Sequence, residues 1–232
     1  HAARAAQAST MSGPVRTGAP AVALSDRGQR RRLEILDAAL RIMARDGLRA
    51  VSHRAVAAEA GVPLAATTYY FSDLEDLITE AFLHWSGSQL RVVGEFHAAA
   101  LDVVRRAGGE RAGQAGLVDA LADAASDYVV DQVLNHRPDR VLEFAFLHEA
   151  ARLPRLRSAV RERQMQDRRF LEQFHAAAGS PDPVLDAQIS FSLLLGLEKA
   201  ALLADPDALD REWVREVLVH YLCNALSGGH RG

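Results

Sequence analysis

The stretch from Arg30 to Leu77 reads as three short helices joined by tight turns and running into a longer fourth, and few folds accommodate that spacing. From Leu33 to Met43 the apolar residues Leu33, Ile35, Leu36, Ala39, Leu40, Ile42 and Met43 recur at mixed intervals of three and four, a helical period. Gly47 follows the last of them and can take the left-handed conformation that ends a helix. Ser52 is placed to cap a second helix, along which Ala55, Val56 and Ala60 face inward. Gly61 and Val62 make the next turn, and Pro63 opens a short third helix of roughly Leu64 to Phe71. A capping-box pattern, Ser72-Asp73-Leu74-Glu75, then starts the fourth helix ahead of Leu77, Ile78, Ala81 and Phe82. Helix, glycine-centred turn, helix is the pattern of a helix-turn-helix, which lays its second helix in the major groove of DNA.

These residues resemble the TetR family of regulators: the opening RRLEILDAAL, the span Gly47 to Ala60 with its AVAAEAGV, and the closing YYF-x-x-x-E-x-L. The resemblance covers about Arg30 to Phe82, and its combination of spacings is far more specific than a lone helix-turn-helix. It implies an all-helical homodimer, usually a repressor, with an N-terminal DNA-binding domain and a C-terminal domain for ligand binding and dimerisation. It also implies DNA contacts at Ser52, His53 and Arg54, and at Leu64, Ala65, Ala66, Thr68, Tyr69 and Tyr70. The side-chain chemistry suits those roles. Arg54 can fork onto a guanine or grip a phosphate, and the hydroxyls of Thr68, Tyr69 and Tyr70 can reach phosphates or base edges. Ser52 and His53 stand at a helix N-terminus, which favours phosphate. Three positions depart from the family: Ala65 and Ala66 replace a common Gly then Thr or Ser, Thr68 replaces a tyrosine, and Leu74 replaces a phosphate-binding lysine. They bear on which operator is bound and not on the fold.

Charge supports the placement. The formal net charge is −3, but residues 1–71 hold ten Arg against five acidic residues, a local +5, while the remainder is −8. A basic head on an acidic body is what a local DNA-binding surface requires. The single cysteine, Cys223, excludes an intrachain disulfide framework and a cysteine-based zinc site, and reads as a buried small apolar residue. No apolar run approaches the roughly 20 residues of a membrane span, and no signal segment is evident, so a cytoplasmic protein is expected. Residues 1–25 read as a disordered leader, and a natural start at Met11 would leave residues 1–10 as a remnant of expression. An ordered leader could still reach a minor groove through Arg16 or Arg27.

Beyond the head the pattern stays helical. Domain boundaries are expected at 26–72 for DNA binding and 73–226 for ligand binding and dimerisation, with a disordered tail at 227–232. The fourth helix should run to about Val104 and break near Gly87 or Gly94, and Gly108–Gly116 reads as a loop. Further helices follow at Leu117–Leu134, Arg140–Arg152, Pro154–Ala178, Val184–Leu203 and Leu209–Leu226. The last two carry more apolar face than one neighbour needs. Ile189, Leu193, Gly196, Leu197 and Ala200 on one, with Trp213, Val217 and Tyr221 on the other, suit a four-helix dimer interface, or else the core of a monomer. Phe82, Trp85, Phe96, Phe144, His148, Phe170, Phe174 and Phe191 are candidates for an enclosed ligand pocket, and equally for an ordinary helical core. No ligand class follows from them, and no metal or other cofactor is implied. The paired Glu-x-x-His elements of a di-metal bundle, a phosphate loop and a nucleophile elbow are all missing, which speaks against an enzyme. The expected partners are palindromic double-stranded DNA, a second copy of the chain and a small apolar or amphipathic effector. A DNA-binding regulator without an effector, and a helical binding protein that does not engage DNA, remain as alternatives.

Overall fold

The computed structural model describes residues 25–109, 113–204 and 209–226. Among these the chain is nine α-helices with no strand. The expected leader up to residue 24, residues 110–112 of the expected loop, residues 205–208 and the expected tail at 227–232 lie outside the described residues.

Helix α1 (Asp26–Asp46) starts a full turn and more before the apolar period, because the Ser25 hydroxyl caps it by accepting from the Gly28 N–H. Arg27 is therefore helical, and Leu33 faces solvent. The buried stripe is Ile35, Leu36, Ala38, Ala39, Ile42 and Met43. Gly47 ends the helix at φ +80°, a backbone that L side chains rarely adopt. After a 3₁₀ turn, Ser52 caps α2 (His53–Glu59) through the Ala55 N–H at 3.1 Å. Gly61, at φ +64°, turns the chain into α3 (Leu64–Tyr70). Val56, Ala57, Val62 and Phe71 seat both short helices on α1.

The start of α4 (Leu74–Gly109) differs from the expected capping box by one residue. Asp73 Oδ1 accepts from the Asp76 N–H at 2.8 Å, and Asp76 Oδ2 reaches back to the Ser72 N–H. Glu75 is left free to accept from the backbone N–H of Arg155. The expected break at Gly87 or Gly94 does not occur: α4 continues through both for 36 residues. A helical glycine costs roughly 1 kcal/mol relative to alanine, and packing of α4 against α5 and α7 outweighs it. The remaining helices are α5 (Gly113–Leu134), α6 (Arg137–Ala150), α7 (Pro154–Ala177), α8 (Pro183–Leu203) and α9 (Arg211–Leu226). Two of them begin inside expected loops. α5 starts at Gly113, and α6 starts at Arg137 because Pro138 is tolerated in a first helical turn. Cys223 is exposed and not buried, since it lies about 100° round α9 from the buried Leu222.

Two apolar clusters make up the core. The first joins the head to the body: Ile35, Leu36, Val56 and Phe71 are continuous with Phe82 and Trp85 of α4, Phe146 of α6 and Leu156 and Val160 of α7. The packing thus runs straight across residue 73. The second cluster occupies the far end, with Val104, Leu121, Val129, Phe174, Leu197, Val214 and Leu218. No described helix is long and apolar enough to cross a membrane.

Candidate DNA interface and ligand cavity

The head presents one face of α3 outward. Leu64, Ala65, Thr68 and Tyr69 are exposed, Tyr69 at 74%, while Thr67 on the opposite side is fully buried. Tyr69 and Tyr70 meet edge to face at 5.0 Å, which splays the exposed ring away from the half-buried one. Ala66 and Tyr70 pack against the core beneath. At the start of α2, Ser52 and Arg54 are exposed, and the Ser52 oxygen is occupied by its cap. His53 is half-buried, its Nδ1 without a hydrogen-bond partner. Arg54, Thr68 and Tyr69 therefore carry the accessible polar groups of this surface. Arg41 and Arg45 of α1 are tied to Glu59 at 3.0 and 3.3 Å, so they hold α2 in place.

At the seam between the two apolar clusters lies a cavity of about 100 Å³. Its apolar wall includes Phe82, Trp85, Phe96, Leu147, Val160, Phe191 and Leu194. Its lining also includes Tyr128 of α5, Arg140 and Glu143 of α6, Arg163 and Asp167 of α7 and Glu198 of α8. Arg140 bridges two carboxylates, at 2.5 Å to Glu143 and 3.4 Å to Glu198, and Arg163 pairs with Asp167 at 3.1 Å. A second, smaller cavity of about 50 Å³ adjoins the first and shares Phe96, Leu171 and Leu194 with it. Phe170, Phe174, Ala125, Leu218 and His175 line this second cavity.

Six of the eight aromatic and histidine candidates thus border one cavity or the other. Phe144 and His148 border neither, because α6 turns Arg140, Glu143 and Leu147 to the cavity and these two lie on an adjacent face. The ionic lining lies outside the aromatic and histidine candidates expected from the sequence. Its members come from α6, α7 and α8 and have no shared spacing. Glu198 has a sequence signal, as a charge inside the otherwise apolar FSLLLGLEKAALL, whereas Arg163 and Asp167 lie in the highly charged α7 and have none.

Burial tunes these groups. Desolvation, reinforced by the Glu143 carboxylate, raises the Glu198 pKa to about 7 against the attraction of Arg140. Burial likewise raises Glu143 and Asp167 and lowers His97 to about 4, so His97 is neutral near pH 7. Since Glu198 has a folded pKa above its ordinary 4.5, the stability due to its neutral form is complete below 4.5 and is lost as pH rises through about 7. Glu198→Gln is accordingly expected to raise the thermal unfolding midpoint at about pH 8 and to leave it near wild type at about pH 5. Equal midpoints at both pH values would show that the carboxyl is not held neutral.

Of the proposed dimer residues, Gly196, Ala200 and Trp213 are exposed and Ile189, Leu193, Val217 and Tyr221 are half-buried. Leu197 belongs to the core of its own protomer, and the Tyr221 hydroxyl donates to the Asp186 carbonyl at 2.7 Å.

Comparison with known proteins agrees with this architecture. Residues 35–81 match the bacterial regulatory proteins of the tetR family, and residues 112–224 match the tetracyclin repressor-like C-terminal domain. The multidrug binding protein EbrR complexed with ethidium is 31% identical, with a TM-score of 0.62 over 82% of this chain and 97% of that one. The chain belongs to the TetR family. As a TetR-family protein it is a DNA-binding transcriptional regulator and not an enzyme. A TetR member from Streptomyces coelicolor A3 is 29% identical, with a TM-score of 0.55 over 82% and 97% of the two chains. A transcriptional regulator of Rhodococcus sp. Rha1, at 22% identity and a TM-score of 0.62 over 85% and 96%, shares the fold. EbrR has also been solved with malachite green and with proflavin. No curated protein matches the chain by sequence.

Proposed function

We propose that this TetR-family regulator is a cytoplasmic repressor that binds a palindromic operator as a homodimer and is released when an amphipathic, aromatic-compatible ligand enters the cavity. The observation that carries this reading is the position of Trp85. Its ring borders the cavity while its indole N–H donates to Asp139 Oδ1 at 2.8 Å, at the start of α6. α6 in turn packs on α1 of the head. The first turns of α4 are also held from both sides: Glu80 pairs with Arg32 of α1 at 2.5 Å, His84 meets Asp37 at 2.8 Å, and Asp73 and Glu75 are gripped by Arg155. A ligand that displaces Phe82 or Trp85 thereby moves α4 relative to α1.

The cavity is smaller than the roughly 300–1,000 Å³ of drug-sized sites, so binding has to open it. Opening favours a second arrangement of the two heads, and only the ligand's preference for that arrangement can drive release. EbrR, a multidrug binding protein similar over the same span, supports a ligand of aromatic character. The exposed surface of Gly196, Ala200 and Trp213 supports a dimer built on α8 and α9, which would set two α3 helices on half-sites about one DNA turn apart.

The test is selection of bound sequences from a random DNA pool, with and without the Arg54→Ala substitution. An enriched palindrome that vanishes in the variant is expected. Enrichment that survives in the variant would overturn the site, and no enrichment by a folded dimer would overturn operator binding.

A further inference from the structure

The start of α4 carries three carboxylates, Asp73, Glu75 and Asp76, and it follows the outward-facing Tyr69 of α3 within a few residues. Ser72, Asp73 and Leu74 are exposed there. Acidic residues suit a helix N-terminus, because the helix dipole favours negative charge. They do not suit the edge of the proposed DNA surface, where unmasked carboxylates repel the operator phosphates. A cation supplied by the body sets this turn apart. The Arg155 guanidinium, at the start of α7, pairs with Asp73 and lies 3.6 Å from Glu75 and 4.0 Å from Asp76. Among the described residues no other cation pairs with any of the three. The hydrogen bond from Arg155 holds the Asp73 carboxyl below the usual carboxylate range, so the group it covers stays ionised.

The backbone ties the same two helix starts together. Leu153, at the N-cap of α7, supplies no side-chain cap, so the first N–H groups of that helix need partners from elsewhere. Glu75 Oε1 accepts from the Arg155 N–H at 2.7 Å and thereby caps α7 from the neighbouring helix. Leu156, the next residue, is fully buried in the core shared with the head, which fixes the phase of α7 and keeps Arg155 against α4. The helix that brings this cation also walls the cavity, through Val160, Arg163, Asp167 and Leu171.

We propose that Arg155 is a positioning residue for operator binding, one that masks the acidic start of α4 from the DNA phosphates. This rests on the regulator reading above and deepens it. Arg155 touches no DNA in this scheme. It acts through Asp73, Glu75 and Asp76, whose charge it offsets and whose turn it holds against α7.

The experiment measures affinity of the full-length protein for its selected operator by fluorescence anisotropy across a salt series. Wild type is compared with Arg155→Ala, with Arg155→Lys, and with a neutralised turn (Asp73→Asn, Glu75→Gln and Asp76→Asn together), alone and combined with Arg155→Ala. The amides keep the capping oxygens, since Asn caps a helix about as well as Asp. Arg155→Ala should bind roughly tenfold more weakly at about 50 mM salt and within about twofold of wild type at about 300 mM, because salt screens exposed charges. Arg155→Lys, which keeps the charge, should stay within about threefold of wild type. Neutralising the turn should restore Arg155→Ala and, with Arg155 present, bind at least as tightly as wild type. A deficit in Arg155→Ala that does not change with salt, or that the amides leave in place, would make Arg155 a purely structural residue and overturn the proposal. Weaker binding by the neutralised turn alone would overturn it without recourse to the alanine variant. An operator bound equally by wild type and Arg155→Ala at every salt concentration would defeat this inference alone, whereas a folded wild type that selects no operator would strike the regulator reading itself.

Discussion

Replacing Arg54 and Tyr69 together with alanine is expected to eliminate operator binding while leaving the fold unchanged. Both side chains stand out from the head: Arg54 is exposed at the first turn of α2, and Tyr69 is 74% exposed on the outward face of α3. An arginine or tyrosine contact to DNA is worth roughly 1–3 kcal/mol, and the proposed dimer would lose each contact twice. The pair thus removes on the order of 4–12 kcal/mol, several decades in affinity even at the low end. Surface substitutions of this kind shift stability by about 0.5 kcal/mol or less, so circular dichroism and sedimentation should match wild type. Binding to a selected operator at fixed salt is the measurement. A loss under about tenfold would place the DNA-reading surface elsewhere on the molecule. Tyr70 is the less informative target, because it is half-buried against the core and its removal would mix recognition with folding.

The largest stability effect is expected at Phe146. The ring is fully buried where α4 and α6 meet, with Phe82 at 5.3 Å and Trp85 at 5.8 Å between ring centroids. Truncating such a residue to alanine costs about 3–5 kcal/mol, partly from lost transfer energy and partly from the void left behind. Phe146 belongs to the cluster that also contains Ile35, Val56 and Phe71, so the head and the start of α4 should lose stability together. Denaturant unfolding at fixed protein concentration, followed by far-UV signal and by tryptophan fluorescence, should show one shifted transition. A shift below about 1 kcal/mol, or a head that melts separately, would contradict a core continuous across α1, α4 and α6.

Legibility differed sharply between the two halves of the molecule. The turn at Gly61 and the cap at Ser52 were both readable, because each depends on residues within one or two turns of one another. Helix ends were read less well. α4 ran through Gly87 and Gly94, and α5 and α6 began inside apparent loops, because neighbouring helices outweighed local preference there. Cys223 shows the same limit at a single residue. Its apolar neighbours suggested burial, but the phase of α9 turned it outward.

The local pattern alone decided that the chain is all-helical and where the turns between its first helices lie. Apolar period, caps and glycine turns act over a few residues, and linear spacing records them fully. The tertiary structure alone decided that Glu143, Asp167 and Glu198 line one cavity together with Arg140 and Arg163. It also decided that Trp85 links that space to α6 and the head. Those relations join residues from separate helices, and the energy that matters in them is the cost of desolvating charge. That cost exists only once the helices have packed and excluded water.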